Sequence, residues 1–169
     1  MTDNIILYTG VFFDFRKEER DALLALAGWT GELTQKLSRV YLDHMTLRYK
    51  PEPESDHLRT VLANEGEEVT LPIVGTGKYY SHQFGLSQVG HLLLMALQID
   101  PQVLDDQFNL TCENQTPHLT VAGELGVAPR KANDCRFMPL CPDGSLLLPY
   151  ITGKIGVKRV PGMKRGMEE

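Results

Sequence analysis

The chain has 169 residues, 42% of them hydrophobic, which is enough for one well-packed domain. Its formal net charge is −5, with 17 Lys and Arg against 22 Asp and Glu. A protein that coats long nucleic acid normally carries a basic surface, so this class is disfavoured and no long nucleic acid is expected as a partner. We expect a single domain over residues 1–160 and a short, flexible tail of basic and acidic residues over 161–169.

The sequence predicts a cytoplasmic protein without a membrane partner. It begins without a basic segment followed by an apolar stretch, and no window approaches the roughly 18 apolar residues of a membrane-spanning helix. Cys112, Cys135 and Cys141 are an odd number of cysteines without CxxC spacing, which suits a reducing compartment.

The first elements in chain order are a strand and a helix. Residues 5–13 (IILYTGVFF) are β-branched and aromatic, which predicts a strand. Residues 14–28 carry charges and then leucines at helical spacing, which predicts a helix that ends at Gly28. Residues 40–49 (VYLDHMTLRY) predict a second strand, which two prolines end, and residues 54–66 predict a short helix.

Further strands and short helices alternate along the rest of the chain. Apolar runs predict strands at 69–80, 90–99 and 116–125, and residues 100–108 resemble a short helix or turn. Residues 145–160 have strand character interrupted by Pro149 and two glycines. This order predicts an α+β fold with largely antiparallel pairing.

Two copies of a His-x-Thr tripeptide are the main functional signal. His44 and Thr46 lie in the strand predicted at 40–49, and His118 and Thr120 lie in the strand predicted at 116–125. Residues two apart in a strand share a face, so each copy points an imidazole and a hydroxyl in the same direction. The copies are far enough apart in the chain to sit on neighbouring strands and form one paired site.

A pair of histidines suits general acid–base cleavage of a phosphodiester. With an ordinary pKa of about 6.5, one imidazole can be neutral and take a proton while the other is charged and gives one. The threonine hydroxyls can donate hydrogen bonds to the non-bridging phosphate oxygens. The five histidines show no HxH or HxxxH spacing and no clustered carboxylates, so neither a metal nor another cofactor is expected.

The motifs His44-Met45-Thr46-Leu47 and His118-Leu119-Thr120-Val121 resemble the 2H phosphoesterase superfamily, which is defined by two His-x-Thr/Ser motifs followed by a hydrophobic residue. The resemblance extends over the opening strand and helix to Ala122, about two thirds of the chain. It implies two pseudo-symmetric lobes of mostly antiparallel sheet with flanking helices, and an active-site cleft between them to which each lobe contributes one motif. It also implies catalytic roles for His44, Thr46, His118 and Thr120.

The activity that the resemblance implies is a metal-independent phosphodiesterase, a hydrolase of 2′,3′-cyclic phosphates, 2′-5′ linkages or related nucleotides. The stretch NQTPHLT at 114–120 is similar to the second motif in branches tied to RNA repair and cyclic phosphodiesterase activity. The acidic composition favours a small nucleotide or an RNA terminus as substrate. Some viral relatives cleave cyclic nucleotide signals of host defence, so a small cyclic oligonucleotide or a 2′-5′-linked signal is the alternative substrate.

Several side chains are candidates for substrate binding. Arg48 is predicted to share a strand face with His44 and Thr46 and can hold a phosphate. An aromatic and basic loop is suited to stacking a base and meeting a phosphate, and two aromatic residues of the first strand can face the cleft or pack in the core. These candidates are Lys78, Tyr79, Tyr80, Tyr8 and Phe12.

The sequence leaves three hypotheses for the function open. The chain is an enzyme, a nucleotide-binding module of the same fold that no longer cleaves its ligand, or a structural protein in which both motifs arose by chance. The intact His and Thr of both motifs favour the enzyme. Which histidine is the base and which is the acid stays undecided.

Overall fold

The computed structural model describes residues 4–29, 39–80, 92–140 and 149–161. Within these ranges the chain forms a mixed α+β fold whose strands pair antiparallel, as predicted. Its elements are the strands β1 (Asn4–Phe12), β2 (Arg39–Val40), β3 (His44–Tyr49), β4 (Glu68–Tyr80), β5 (Leu92–Ile99), β6 (His118–Gly123), β7 (Arg136–Pro139) and β8 (Tyr150–Pro161), the helices α1 (Lys17–Ala27), α2 (Asp56–Ala63) and α3 (Gln102–Phe108), and a 3₁₀ helix (Pro129–Asp134).

The long strand β4 links two groups of strands. Its first part, from Glu68 to Pro72, pairs with β8, which continues to β1 and β3. Its second part, from Ile73 to Tyr80, pairs with β5, which continues to β6 and β2. β7 pairs with the other edge of this second part of β4. The order along the sheet is β2-β6-β5-β4-β8-β1-β3, so the two motif strands β3 and β6 belong to different groups.

The predicted strand at 40–49 is in fact two strands, β2 and β3, with a break between them. Leu42 still pairs with β6: its N–H donates to the Thr120 carbonyl at 2.9 Å, and its backbone takes a left-handed φ of 53°. The Asp43 carbonyl then accepts from the Phe13 N–H at 2.8 Å, and β3 pairs with β1. The chain thereby crosses from one strand group to the other, and this crossing brings β3 close to β6.

The burial pattern of β3 and β6 fixes which way the motif side chains point. Met45 and Leu47 on β3, and Leu119 and Val121 on β6, are fully buried. Burying each of them stabilises the fold by roughly 1.5–3 kcal/mol, so a slip of one residue in either strand would be costly. The alternate residues, which are the histidines and threonines of both motifs, are half-buried on the opposite face.

The predicted helices are all present in the described part of the chain. α1 buries Leu23, Leu24 and Ala27 and packs against β4, β5 and β6. Its capping residue is Gly28, with a φ of 93°, as predicted for the helix end. α2 confirms the predicted short helix, and α3 lies where the sequence predicted a short helix or a turn.

The C-terminal strand differs from its prediction. β8 runs without interruption through Gly153 and Gly156. A Cβ atom at Gly153 would lie 2.7 Å from the ring of Phe13, and one at Gly156 would lie 3.3 Å from the ring of Phe12, so both glycines make room for aromatic rings of the first strand region. Of the predicted tail, Pro161 belongs to β8, and residues 162–169 lie outside the described residues.

Candidate active site

Both motifs line one cavity of about 870 Å³. His44 and Thr46 reach it from β3, and His118 and Thr120 reach it from β6. The two imidazoles are close enough for a charge on His118 to act on His44. The structure therefore brings together the four residues on which the predicted site was based.

His118 has a fixed hydrogen-bond partner. Its Nδ1 lies 2.9 Å from the carbonyl oxygen of Thr116. Because a carbonyl only accepts, Nδ1 carries the hydrogen, and in the neutral ring the lone pair is on Nε2. Phe137 of β7 stacks on the ring, with centroids 6.0 Å apart. This arrangement leaves Nε2 of His118 able to accept a proton.

His44 lies against two aromatic rings of β1. Its ring stacks on Tyr8 with centroids 4.7 Å apart, and Phe12 lies on it with centroids 5.8 Å apart. The Tyr8 hydroxyl is 3.4 Å from Nδ1 of His44. A hydroxyl both donates and accepts, so Tyr8 can bond to the neutral ring as a donor and to the imidazolium as an acceptor. His44 is thus accommodated in either protonation state.

Burial lowers the pKa of both imidazoles below the ordinary value of 6.5. At His44 the Asp43 carboxylate opposes this effect, whereas the positive charges of His118 and Lys158 add to it. At His118 the hydrogen bond to Thr116 opposes it. An anionic phosphate in the cavity would raise both pKa values, because it favours the charged form of each ring.

The predicted substrate-binding residues do not all reach the cavity. Tyr8 lines it, and Phe12 packs beside His44 without being among the lining residues. Arg48 is not a lining residue either: its Nη2 donates to Oγ1 of Thr111 at 3.3 Å, and its buried Nε has no hydrogen-bond partner in the described part of the chain.

The three candidates on β4 also lie outside the cavity lining. The Lys78 ammonium lies beside Gly28, at the C-terminal end of α1. Tyr79 packs on a small cluster that includes Ala132, and the Lys131 ammonium lies 5.9 Å from the centroid of its ring. Tyr80 pairs with Leu92 at the end of β4.

Polar residues that were not predicted as site residues also line the cavity, and Asp43, Asn114, Arg130 and Asn133 are among them. Asp43 directly precedes the first motif and acts on the pKa values of both His44 and Tyr8. The sequence signal that could have identified Asp43 as a site residue is its position next to His44. Arg130 and Asn133 come from the 3₁₀ helix, and nothing in the local sequence marks them. Asn114 comes from the loop before β6 and begins the stretch NQTPHLT that contains the second motif.

Asn114 holds the loop that carries Thr116. Its Oδ1 accepts from the Thr116 N–H at 3.0 Å, and its Nδ2 donates to Oδ1 of Asn133 at 2.6 Å. Since the Thr116 carbonyl is the partner of His118, these bonds connect the 3₁₀ helix to the imidazole. Asn114 is therefore a positioning residue for His118.

The site offers proton transfer and hydrogen bonding to an anion. The imidazoles and the threonine hydroxyls of both motifs face one cavity. Within the described ranges no group of three or more His, Cys, Asp or Glu residues is arranged to hold a metal ion. Across those same ranges, no helix combines the length and the apolar character needed to span a membrane.

Comparison with known proteins adds no assignment. The chain matches no protein-family model and no curated protein sequence.

Proposed function

We propose that this protein is a metal-independent phosphodiesterase that opens 2′,3′-cyclic phosphates, at RNA ends or on small nucleotides, by two-histidine general acid–base catalysis. The observation that carries the proposal is the convergence of His44, Thr46, His118 and Thr120 on one cavity. The chain reaches this arrangement by crossing between β2 and β3, and the two motifs come from different strand groups.

The proposal includes the pseudo-symmetric architecture of the 2H phosphoesterases. In this interpretation the β1, β3 and β8 group with the first part of β4 forms one lobe, and the β2, β5, β6 and β7 group with the second part forms the other. Each lobe then supplies one His-x-Thr motif, and the cavity of about 870 Å³ is the cleft between the lobes.

The hydrogen bonds favour His118 as the base and His44 as the acid for ring opening by water. Nε2 of His118 takes a proton from the attacking water, whose oxygen forms the new bond to phosphorus. The bond from phosphorus to a ribose oxygen breaks, and that oxygen receives a proton from Nε2 of the His44 imidazolium. The product is a phosphomonoester with a free ribose hydroxyl.

Two neighbouring groups support the acid role of His44. Asp43 opposes the loss of its proton, since a carboxylate stabilises a nearby positive charge. The Tyr8 oxygen, 3.4 Å from Nδ1, can accept the Nδ1 hydrogen of the imidazolium. Nε2 is then the atom that delivers the proton.

Thr46 and Thr120 are assigned to the phosphate. Each lies two residues after its histidine on the same strand face, and each lines the cavity. Their hydroxyls can donate to the non-bridging oxygens, where negative charge grows in the transition state.

A second candidate substrate is a small cyclic oligonucleotide or a 2′-5′-linked signal. The observation that favours it is the size of the cavity: about 870 Å³ lies near the upper end of the range of roughly 300–1,000 Å³ typical of small-molecule sites. The same two histidines would cleave its phosphodiester bonds.

The test is a metal-free activity screen. Protein treated with EDTA is incubated with 2′,3′-cyclic nucleotides, 2′-5′ dinucleotides and cyclic oligonucleotides, and the products are identified by mass spectrometry. We expect EDTA-resistant turnover that falls by about 10²-fold or more in His44→Ala and, separately, in His118→Ala. Near-normal turnover in either variant would falsify the two-histidine mechanism, and tight binding without product would indicate a non-catalytic module.

A further inference from the structure

Arg130 is a cation in the cavity that the two-histidine mechanism does not use. It belongs to the 3₁₀ helix Pro129–Asp134 and is the one Lys or Arg among the described residues that line the cavity. In the described part of the chain it makes no hydrogen bond or ion pair, although the carboxylates of Asp43 and Glu113 line the same cavity. Its guanidinium is therefore available to a ligand.

The backbone that carries Arg130 is held in place relative to His118. Ala132, two residues later, is fully buried in a cluster with Leu94 and Ala96. On the cavity side, Asn133 accepts the 2.6 Å hydrogen bond from Asn114, which also fixes the loop before His118. The helix is thus anchored at both faces, while the Arg130 side chain itself is exposed.

The two carboxylates of the cavity already have other roles. Asp43 acts on His44 and Tyr8, and Oε1 of Glu113 accepts the Tyr49 N–H at 3.0 Å. Neither forms an ion pair with Arg130 in the described part of the chain. The scissile phosphate, in turn, is met by the histidines and threonines of the motifs. An additional guanidinium on an anchored backbone fits an additional anion, since its planar fork matches a phosphate with two parallel hydrogen bonds.

We propose that Arg130 forms a second phosphate subsite, with Asn133 beside it, and that the substrate class is a nucleotide with at least one phosphate beyond the one that is cleaved. A short oligonucleotide or RNA end with a terminal cyclic phosphate belongs to this class, and a cyclic mononucleotide does not. This inference rests on the proposed function, because it takes the His44 and His118 region as the site of cleavage.

The test compares two substrates that differ by one adenosine nucleotide, and therefore by one further phosphate: 2′,3′-cyclic AMP and the dinucleotide ApA with a terminal 2′,3′-cyclic phosphate. We expect the wild type to prefer the dinucleotide in kcat/KM, and Arg130→Ala to lose about tenfold to a hundredfold on the dinucleotide alone. Arg130→Lys keeps the positive charge but not the planar guanidinium, so we expect its kcat/KM on the dinucleotide to lie between those of the wild type and Arg130→Ala. Arg136→Ala, which removes another exposed charge, outside the cavity lining, is the matched control.

Two results would overturn the subsite while leaving the proposed function intact. One is an equal loss on both substrates in Arg130→Ala, which would assign Arg130 to the scissile phosphate. The other is no loss on either. If the wild type cleaves neither substrate, the proposed function fails, and calorimetry with 3′-AMP and ApAp decides the subsite. Tighter binding of ApAp that Arg130→Ala abolishes supports it, and equal binding of both nucleotides overturns it.

Discussion

His118 and His44 line one cavity, yet the Nδ1 atom of each ring has a different kind of partner. His118 faces a backbone carbonyl at 2.9 Å, and this partner permits only one arrangement of hydrogens. His44 faces a tyrosine hydroxyl at 3.4 Å, which accommodates the ring with or without the extra proton, and it lies next to a carboxylate. A single sequence motif therefore yields two chemically distinct imidazoles, and the proposed mechanism uses this difference to make His118 the base and His44 the acid.

The largest expected effect separates the two roles by the choice of leaving group. A nucleoside 5′-phosphate p-nitrophenyl ester releases a stable phenolate that needs no proton. On a 2′,3′-cyclic phosphate, we expect His44→Ala and His118→Ala each to lose about 10²- to 10⁴-fold. On the nitrophenyl ester, His44→Ala should regain most of its activity relative to the wild type, and His118→Ala should not.

The measurement is kcat/KM for the wild type and both variants on both substrates. Regain of activity in His118→Ala but not in His44→Ala would reverse the assignment. Equal regain in both would mean that neither ring has a dedicated role.

A smaller effect is expected from the group that fixes His118. Asn114→Ala removes the acceptor of the Thr116 N–H, so the carbonyl that orients His118 is held less firmly. We expect a loss of about tenfold in kcat, the equivalent of one hydrogen bond. The acid limb of the kcat/KM profile should also move to lower pH, because the bond from Nδ1 to the carbonyl favours the protonated ring and raises its pKa.

Asn114→Asp is the matched control, since its carboxylate still accepts from the Thr116 N–H. Its negative charge favours protonated His118, so the acid limb should move to higher pH instead. A purely structural role for Asn114 predicts lower stability with an unshifted pH profile in the alanine variant.

The pH dependence tests the surroundings of His44. Because burial lowers the pKa of both rings below 6.5, the maximum of kcat/KM should lie on the acidic side of that value. Asp43→Asn removes the charge that opposes this shift at His44, so the basic limb should move to still lower pH while the acid limb stays. At neutral pH we therefore expect Asp43→Asn to have a lower kcat/KM than the wild type, with a smaller loss than in Asn114→Ala. A shift of the acid limb instead would place Asp43 beside the base.

Much of the site could be predicted because its signals are local. The alternation of His44 and Thr46 with Met45 and Leu47 fixes which face of β3 is polar, and β6 follows the same pattern. The helix end at Gly28 is equally local, since a left-handed residue there favours glycine.

The break at residues 41–43 could not be predicted, because its cause lies far away in the sequence. Leu42 adopts its left-handed backbone while bonding to Thr120, and Asp43 bonds to Phe13. Arg130 reaches the cavity for a similar reason. The short run of its 3₁₀ helix resembles any polar loop until Ala132 is buried against β5. Tertiary contacts determine these features.

The smallest effect on activity is expected at a third histidine, His57, which is half-buried like the other two but lies outside the cavity lining. Oγ1 of Thr9 accepts from the Arg48 N–H at 3.1 Å and lies 2.7 Å from Nε2 of His57, so the hydroxyl forms a hydrogen bond with the neutral ring whose direction follows the tautomer of His57. Burial, together with the nearby charge of Arg48, lowers the pKa of His57 to about 4.

His57→Ala should keep its kcat/KM and lose about 1 kcal/mol of stability at pH 7.5. The amide of His57→Gln offers Thr9 both a donor and an acceptor but does not titrate, so this variant should lose less stability than His57→Ala. A folded-state pKa below 6.5 means that the stability contributed by neutral His57 is complete above pH 6.5 and is lost as the pH falls through about 4. We therefore expect urea unfolding at pH 7.5, 5.5 and 4.5 to show a smaller fall in the free energy of unfolding on acidification in His57→Gln than in the wild type. An equal fall in both proteins would show that His57 does not cause the pH dependence of stability.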